Sequence, residues 1–164
     1  GAKVRALTVQ NPYAQLIITP QDQLPKGAIH KRVENRSWIP QSILMRVPFA
    51  IHAGVSMDWF RFGDWPLELP RKAKRADVPQ MAFGAVVGVA VISHCFHVNQ
   101  IRTGQVPAEY QWLGDHKHVS GPYCFVLENV VALEHPVPCV GKQKFFTLPS
   151  TVETRVLEQI GVLA

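Results

Sequence analysis

The 164-residue sequence predicts a strand-rich α+β domain, built as a small mixed β-barrel with a few peripheral helices. Three observations predict it. Segments rich in β-branched and aromatic residues outnumber the amphipathic ones, which favours strands over helices. Their order (strand, helix, strand, strand, helix, strand, strand, helix) lacks the regular βαβ alternation of a doubly wound sheet. Thirteen prolines fall mostly between the periodic segments, as tight connections in a strand-rich domain require. No repeat of fixed period appears, and the length suits one domain over 1–164.

Taken in order, Val4 to Val9 reads as a short β-branched strand. Asn11 can cap a helix whose first position suits Pro12 and whose apolar turns come from Tyr13 to Ile18. Thr19 to Gly27 is a polar loop with two prolines. Ile29 to Trp38 reads as a heavily charged strand, and Arg46 to Ala53 as a clear strand ending at Gly54. Ser56 can cap a short helix through Phe62. Pro66 to Gln80 is proline-rich and basic, the expected mobile surface loop. Gly84 to Cys95 is the strongest strand, nearly all Val, Ala and Ile, and so expected to be buried on both faces. A short helix is expected around Ala108 to Trp112, and a strand over Tyr123 to Leu133. Ser150 and Glu153 have capping-box spacing ahead of an amphipathic helix carrying Val152, Val156, Leu157 and Ile160.

Composition narrows the function classes. Hydrophobic residues make up 47% and charged residues 18%, enough apolar material for a packed core. The longest apolar run, Ala82 to Val91, is about half of the roughly 18 residues a membrane span needs and is broken by glycines. The first residues lack the basic-then-apolar plan of a signal peptide, so no membrane association and a cytoplasmic location are expected. Seventeen basic against twelve acidic residues give a formal charge of +5, which favours polyanionic partners without requiring them. Cys95, Cys124 and Cys139 form an odd set without CxxC spacing, pointing to buried thiols in a reducing compartment.

Four ordered segments resemble one known family. They are Ala6-Leu-Thr-Val-Gln-Asn-Pro-Tyr-Ala14; Lys31-Arg-Val-Glu-Asn-Arg-Ser-Trp38, which fits the core KxxExR of a GxKxxExR motif; Ala50-Ile-His-Ala-Gly54; and Gly121-Pro-Tyr-Cys-Phe-Val-Leu-Glu-Asn129 with Pro136 to Cys139 and Lys142 to Pro149. Together they resemble the ASCH domain family of the PUA-like superfamily, over about residues 4 to 149. One departure is visible: Ile29 stands where the motif has glycine, with Gly27 close by. The resemblance implies a PUA-like pseudobarrel, a cleft lined by the motif residues, and an association with RNA. Some small relatives hydrolyse the amide of N4-acetylcytidine and others have been proposed as nucleases.

The site is expected around Lys31, Glu34 and Arg36. In a regular strand Lys31 faces away from Glu34 and Arg36, so their meeting requires a twist or bulge near Arg32 and Val33. Arg36 can grip a phosphate bidentately, and Lys31 can act as a point charge or, if desolvated, a base. Glu34 can accept from an exocyclic amine or hold the two cations in place. Trp38 and Tyr13 offer stacking faces. Thr8 and Asn11 sit at a strand-to-helix turn that supplies amide donors. His52 offers a hydrogen bond or acid–base group, and Ser37 and Gly54 complete the expected ligand-binding set. Read alone, without the resemblance, the triplet is better described as a solvated ion-pair ladder on a surface strand.

Other constellations carry less. His94, His97, Asp115, His116 and His118 lack the paired spacing of a structural zinc site, so neither metal nor cofactor is expected. Arg71 to Arg75 is a basic run of the kind usually solvated. Three functional readings stay open. The first is a module binding RNA, a nucleotide or a modified nucleoside. The second is an enzyme with Lys31 and Glu34 as catalytic groups, an amidohydrolase of an N4-acylated cytidine or a ribonuclease. The acetylcytidine hydrolases are thought to place a threonine nucleophile three residues after the lysine, where this chain has Glu34. The third is a regulatory adaptor binding a small ligand or a protein.

Overall fold

The computed structural model describes residues 3–161, so residues 1, 2 and 162–164 of the expected domain lie outside the described residues. Among the described residues, six strands and three α-helices form, with short 3-10 turns between them. The strands are β1 (Arg5–Val9), β2 (Val33–Arg36), β3 (Pro48–Ala53), β4 (Ala85–His97), β5 (Tyr123–Pro138) and β6 (Phe145–Thr147). The helices are α1 (Tyr13–Ile18), α2 (Val98–Arg102) and α3 (Ser150–Ile160). The strands form one sheet in the order β2-β5-β4-β3-β1-β6. It is mixed: β1 runs parallel to β3, pairing Thr8 with His52, and antiparallel to β6; β2 is antiparallel to β5, pairing Glu34 with Phe125. This is the expected strand-rich α+β class.

The chain divides into two compact units, each assembled from separate stretches. The described part of the first comprises residues 3–30, 49–90 and 130–161. One of its apolar clusters joins Ala6, Ala50, Val86, Leu133 and Phe146 to Val156 of α3. A second gathers Leu16, Ala28, Trp65, Val78 and Met81. The second unit comprises residues 31–48 and 91–129, and its core holds Val33, Phe96, Tyr110, Leu113, Cys124 and Val126.

Several expectations are corrected. The strand expected over Ile29 to Trp38 covers only Val33–Arg36. Side chains hold the first part of the approach to it: Gln21 Oε1 accepts from the His30 amide, and the His30 ring meets the Leu16 carbonyl. Arg46 takes a positive φ of 61°, which delays the start of β3 to Pro48. The turn after Ser56 is 3-10, with the Ser56 hydroxyl accepting the Asp58 amide. The basic segment over Pro66 to Gln80 is anchored at Val78, which is buried in the second cluster. Likewise, α3 has no capping box. Ser150 is already its first residue, and the Glu153 carboxylate accepts the Val4 amide at 2.7 Å instead. Strand β6 and helix α2 carry too few periodic residues to stand out in the sequence, and β5 runs five residues beyond Leu133 to Pro138.

Candidate functional site

The expected site residues fall into both units. In the second unit, β2 presents Glu34 and Arg36 on one face, because residues two apart in a strand point the same way. Phe125 lies opposite Glu34 across the ladder, so the carboxylate stands beside a fully buried ring. Lys31 precedes the strand and is therefore released from its alternation. Its side chain turns back to donate to the Val33 carbonyl and to reach Glu34 Oε1 at 3.3 Å. Arg36 approaches the other oxygen, with Nε at 2.9 Å and Nη2 at 2.6 Å from Glu34 Oε2. A later strand start, where the sequence suggested a bulge, thus brings the three together.

The electrostatics of this trio are unusual for a stability device. Lys31 is 4% exposed and Glu34 is 7% exposed, while Arg36 remains half-buried. Removing two charges from water costs several kcal/mol per ion, and a well-packed apolar pair would often serve stability as well. Two cations bridged by one carboxylate leave a formal charge of +1. Glu34 has each oxygen engaged, so its chemistry is that of an organiser. Trp38, half-buried, rests edge-on against Phe125 with ring centroids 5.4 Å apart, and Ser37 is exposed.

In the first unit, Thr8 and His52 are register partners on β1 and β3. His52 Nε2 lies 2.6 Å from the Cys139 carbonyl, which can only accept, so this nitrogen carries the proton. Nδ1 then accepts the Thr8 hydroxyl at 3.0 Å. Burial lowers the His52 pKa below the ordinary 6.5, the Cys139 hydrogen bond opposing it, which keeps the ring neutral. Gly141 packs so closely that an added Cβ would sit 2.7 Å from both the Thr8 hydroxyl and the imidazole. Asn11 is buried, donating to the Ala82 carbonyl at 2.8 Å and accepting the Gln15 amide at 3.2 Å from one residue ahead of the N-cap position. The Tyr13 hydroxyl donates to Asp64 at 2.5 Å; burial, then Asp64, pushes its pKa up. Gly54 leaves room for the Gln10 amide, which accepts from Ser56.

Two groups escaped the sequence reading. Asn35 donates to the His118 carbonyl and its own carbonyl accepts the Ser120 and Gly121 amides, tying that loop to β2. Its place between Glu34 and Arg36 in the motif was the available signal. The other is Arg32, whose guanidinium lies over the Trp112 ring at 3.7 Å. The histidines weighed as metal ligands have other partners: His97 Nδ1 accepts the Asn99 amide at the start of α2, His116 Nε2 accepts the Arg32 amide, and His94 stacks on Phe96. Among the described residues no three His, Cys, Asp or Glu side chains are grouped to hold a metal. Among those residues, too, no helix is long and apolar enough to cross a membrane.

No family model matches the chain, and no curated protein matches it. Solved structures similar to it over nearly its whole length include the following. One is the crystal structure of ASCH from Zymomonas mobilis, 16% identical with a TM-score of 0.48, covering 95% of this chain and 94% of that one. A tyrosine-to-phenylalanine mutant of the same protein gives 16% identity and a TM-score of 0.49, covering 96% and 98%. A serine-to-alanine mutant gives 15% and 0.48, covering 96% of each. At such identity no residue's role transfers.

Proposed function

We propose that this protein is a binding module for RNA or a modified nucleotide, with its recognition centre at Lys31, Glu34 and Arg36. The observation that carries the reading is the bridging carboxylate: Glu34 holds a buried lysine and a part-exposed arginine in one net-positive group. A rigid pair of cationic donors suits a phosphate or a base carbonyl, and Trp38 beside them is a stacking face. The overall charge of +5 adds long-range attraction for a polyanion. The KxxExR resemblance points the same way. Binding is favoured over hydrolysis because both oxygens of Glu34 are occupied, at the position where a lysine-assisted hydrolase would carry a hydroxyl nucleophile.

Titration calorimetry against nucleosides, N4-acetylcytidine, nucleotides and short single-stranded RNA tests this, with product analysis by chromatography. Lys31→Ala is expected to weaken binding by roughly tenfold to a hundredfold, the worth of one charge-assisted hydrogen bond. Arg75→Ala should change it little, since Arg75 is exposed and leans on Phe83 and the Val55 carbonyl. Equal, small losses at both positions would sink the site assignment. Acetate released from N4-acetylcytidine and lost in Lys31→Ala would replace the binding module by an amidohydrolase.

A further inference from the structure

We infer that Arg32 and Trp112 form a second nucleotide subsite, which makes the preferred ligand a single-stranded RNA segment and not a lone nucleoside. The inference rests on the binding function proposed above and extends it. Arg32 is exposed, yet among the described residues no carboxylate lies within ion-pair distance of its guanidinium. That group is held instead over the half-buried Trp112 ring, 3.7 Å from the centroid. Its backbone is fixed as well: the Arg32 amide donates to His116 Nε2 at 3.1 Å, and the Arg32 carbonyl accepts the Leu127 amide at 2.9 Å. The His116 ring meets Trp112 edge-on, with centroids 5.6 Å apart.

An arginine held over an indole at this distance has already lost much of its rotamer freedom, so a ligand meets less ordering cost. Its outer plane can take an unstacked base and its edge can donate to a phosphate oxygen, the two chemistries a single strand repeats at every nucleotide. An acidic peptide would use the edge alone and leave the plane without purpose. Lys31 and Arg32 are consecutive, with Cα atoms about 3.8 Å apart, and send their side chains to different partners, Glu34 and Trp112. One short stretch of chain therefore supplies two cationic groups, both within the second unit.

The test compares an RNA hexamer, the nucleoside that gives the largest heat, and an oligoglutamate peptide. It uses the full chain and the variants Arg32→Gln, Arg32→Lys, Trp112→Phe and Lys31→Ala. Arg32→Gln is expected to weaken the hexamer by about tenfold while leaving the nucleoside unchanged, with Arg32→Lys recovering only the charge-dependent part. Trp112→Phe should give a smaller loss of the same kind and guards against a folding defect at the larger truncation. Lys31→Ala should weaken both ligands. Hexamer binding unchanged in Arg32→Gln overturns the subsite and leaves the Lys31 reading standing. A native protein that binds neither hexamer nor nucleoside overturns both. Oligoglutamate binding as tightly as the hexamer, with the same loss in Arg32→Gln, makes this an acidic-peptide site and also overturns the inference.

Discussion

At the level of single residues, Glu34 and His52 decide most. Glu34 compensates two cations, one of them buried. Glu34→Ala should therefore destabilise the fold by about 2–4 kcal/mol, near the cost of breaking a buried pair. Lys31→Met should cost less, because Glu34 keeps Arg36 and the methionine fills the space. Urea denaturation of both variants checks the order, and a larger loss in Lys31→Met would contradict the organising role of Glu34. His52 carries a pH signature. Its folded pKa lies below 6.5, so the unfolded chain binds the proton more readily. Its contribution is present above pH 6.5 and is lost as pH falls through the lower folded value. Stability measured from pH 7 to pH 5 should fall, and His52→Asn should flatten that slope; an unchanged slope assigns the dependence elsewhere.

At the level of elements, packing between neighbours outweighs local propensity. Strand β4 contains Gly88, where an added Cβ would sit 2.8 Å from both Ile18 Cγ2 and the Val131 carbonyl. Gly88→Ala should thus lower stability by about 1–3 kcal/mol, although alanine is ordinarily the better strand residue. A neutral or stabilising result in chemical denaturation would mean that α1 and β5 yield more readily than their contacts suggest. The same logic explains β2. Ten residues from Ile29 to Trp38 alternate well enough to suggest one strand, yet Gln21 and His30 hold the first part by side-chain hydrogen bonds. A propensity count sees strand formers there; it does not see which backbone groups already have partners.

At the level of the whole molecule, composition and burial speak to chemistry in solution. Burial raises the pKa of all three thiols, and Cys95 is pushed up to about 11, with the charge of Cys124 a lesser cause. The thiolate is the reactive form, so at pH 8 Cys95 should react with an aromatic disulfide of the order of 100-fold more slowly than after denaturation. One fast native equivalent, mapped to Cys95, would show that this thiol is open to solvent. The odd cysteine count without paired spacing already favoured inert thiols, since nothing in it pointed to bridges.

Residue order alone carried the strand-rich α+β class, the first helix, the long apolar strand and the last amphipathic helix. These follow from periodicity and turn chemistry, which act over a few neighbours. The resemblance to the KxxExR motif, more than the residues read alone, singled out Lys31, Glu34 and Arg36 as a group. Folding alone decided how they meet, because Lys31 lies outside β2 and its side chain follows an acceptor rather than the pleat. Folding likewise chose the proton position on His52, through a carbonyl 87 residues away. It set Arg32 on Trp112, eighty positions further along the chain, for the same reason. Contacts of that separation depend on which surfaces the sheet brings together, and no local pattern encodes them.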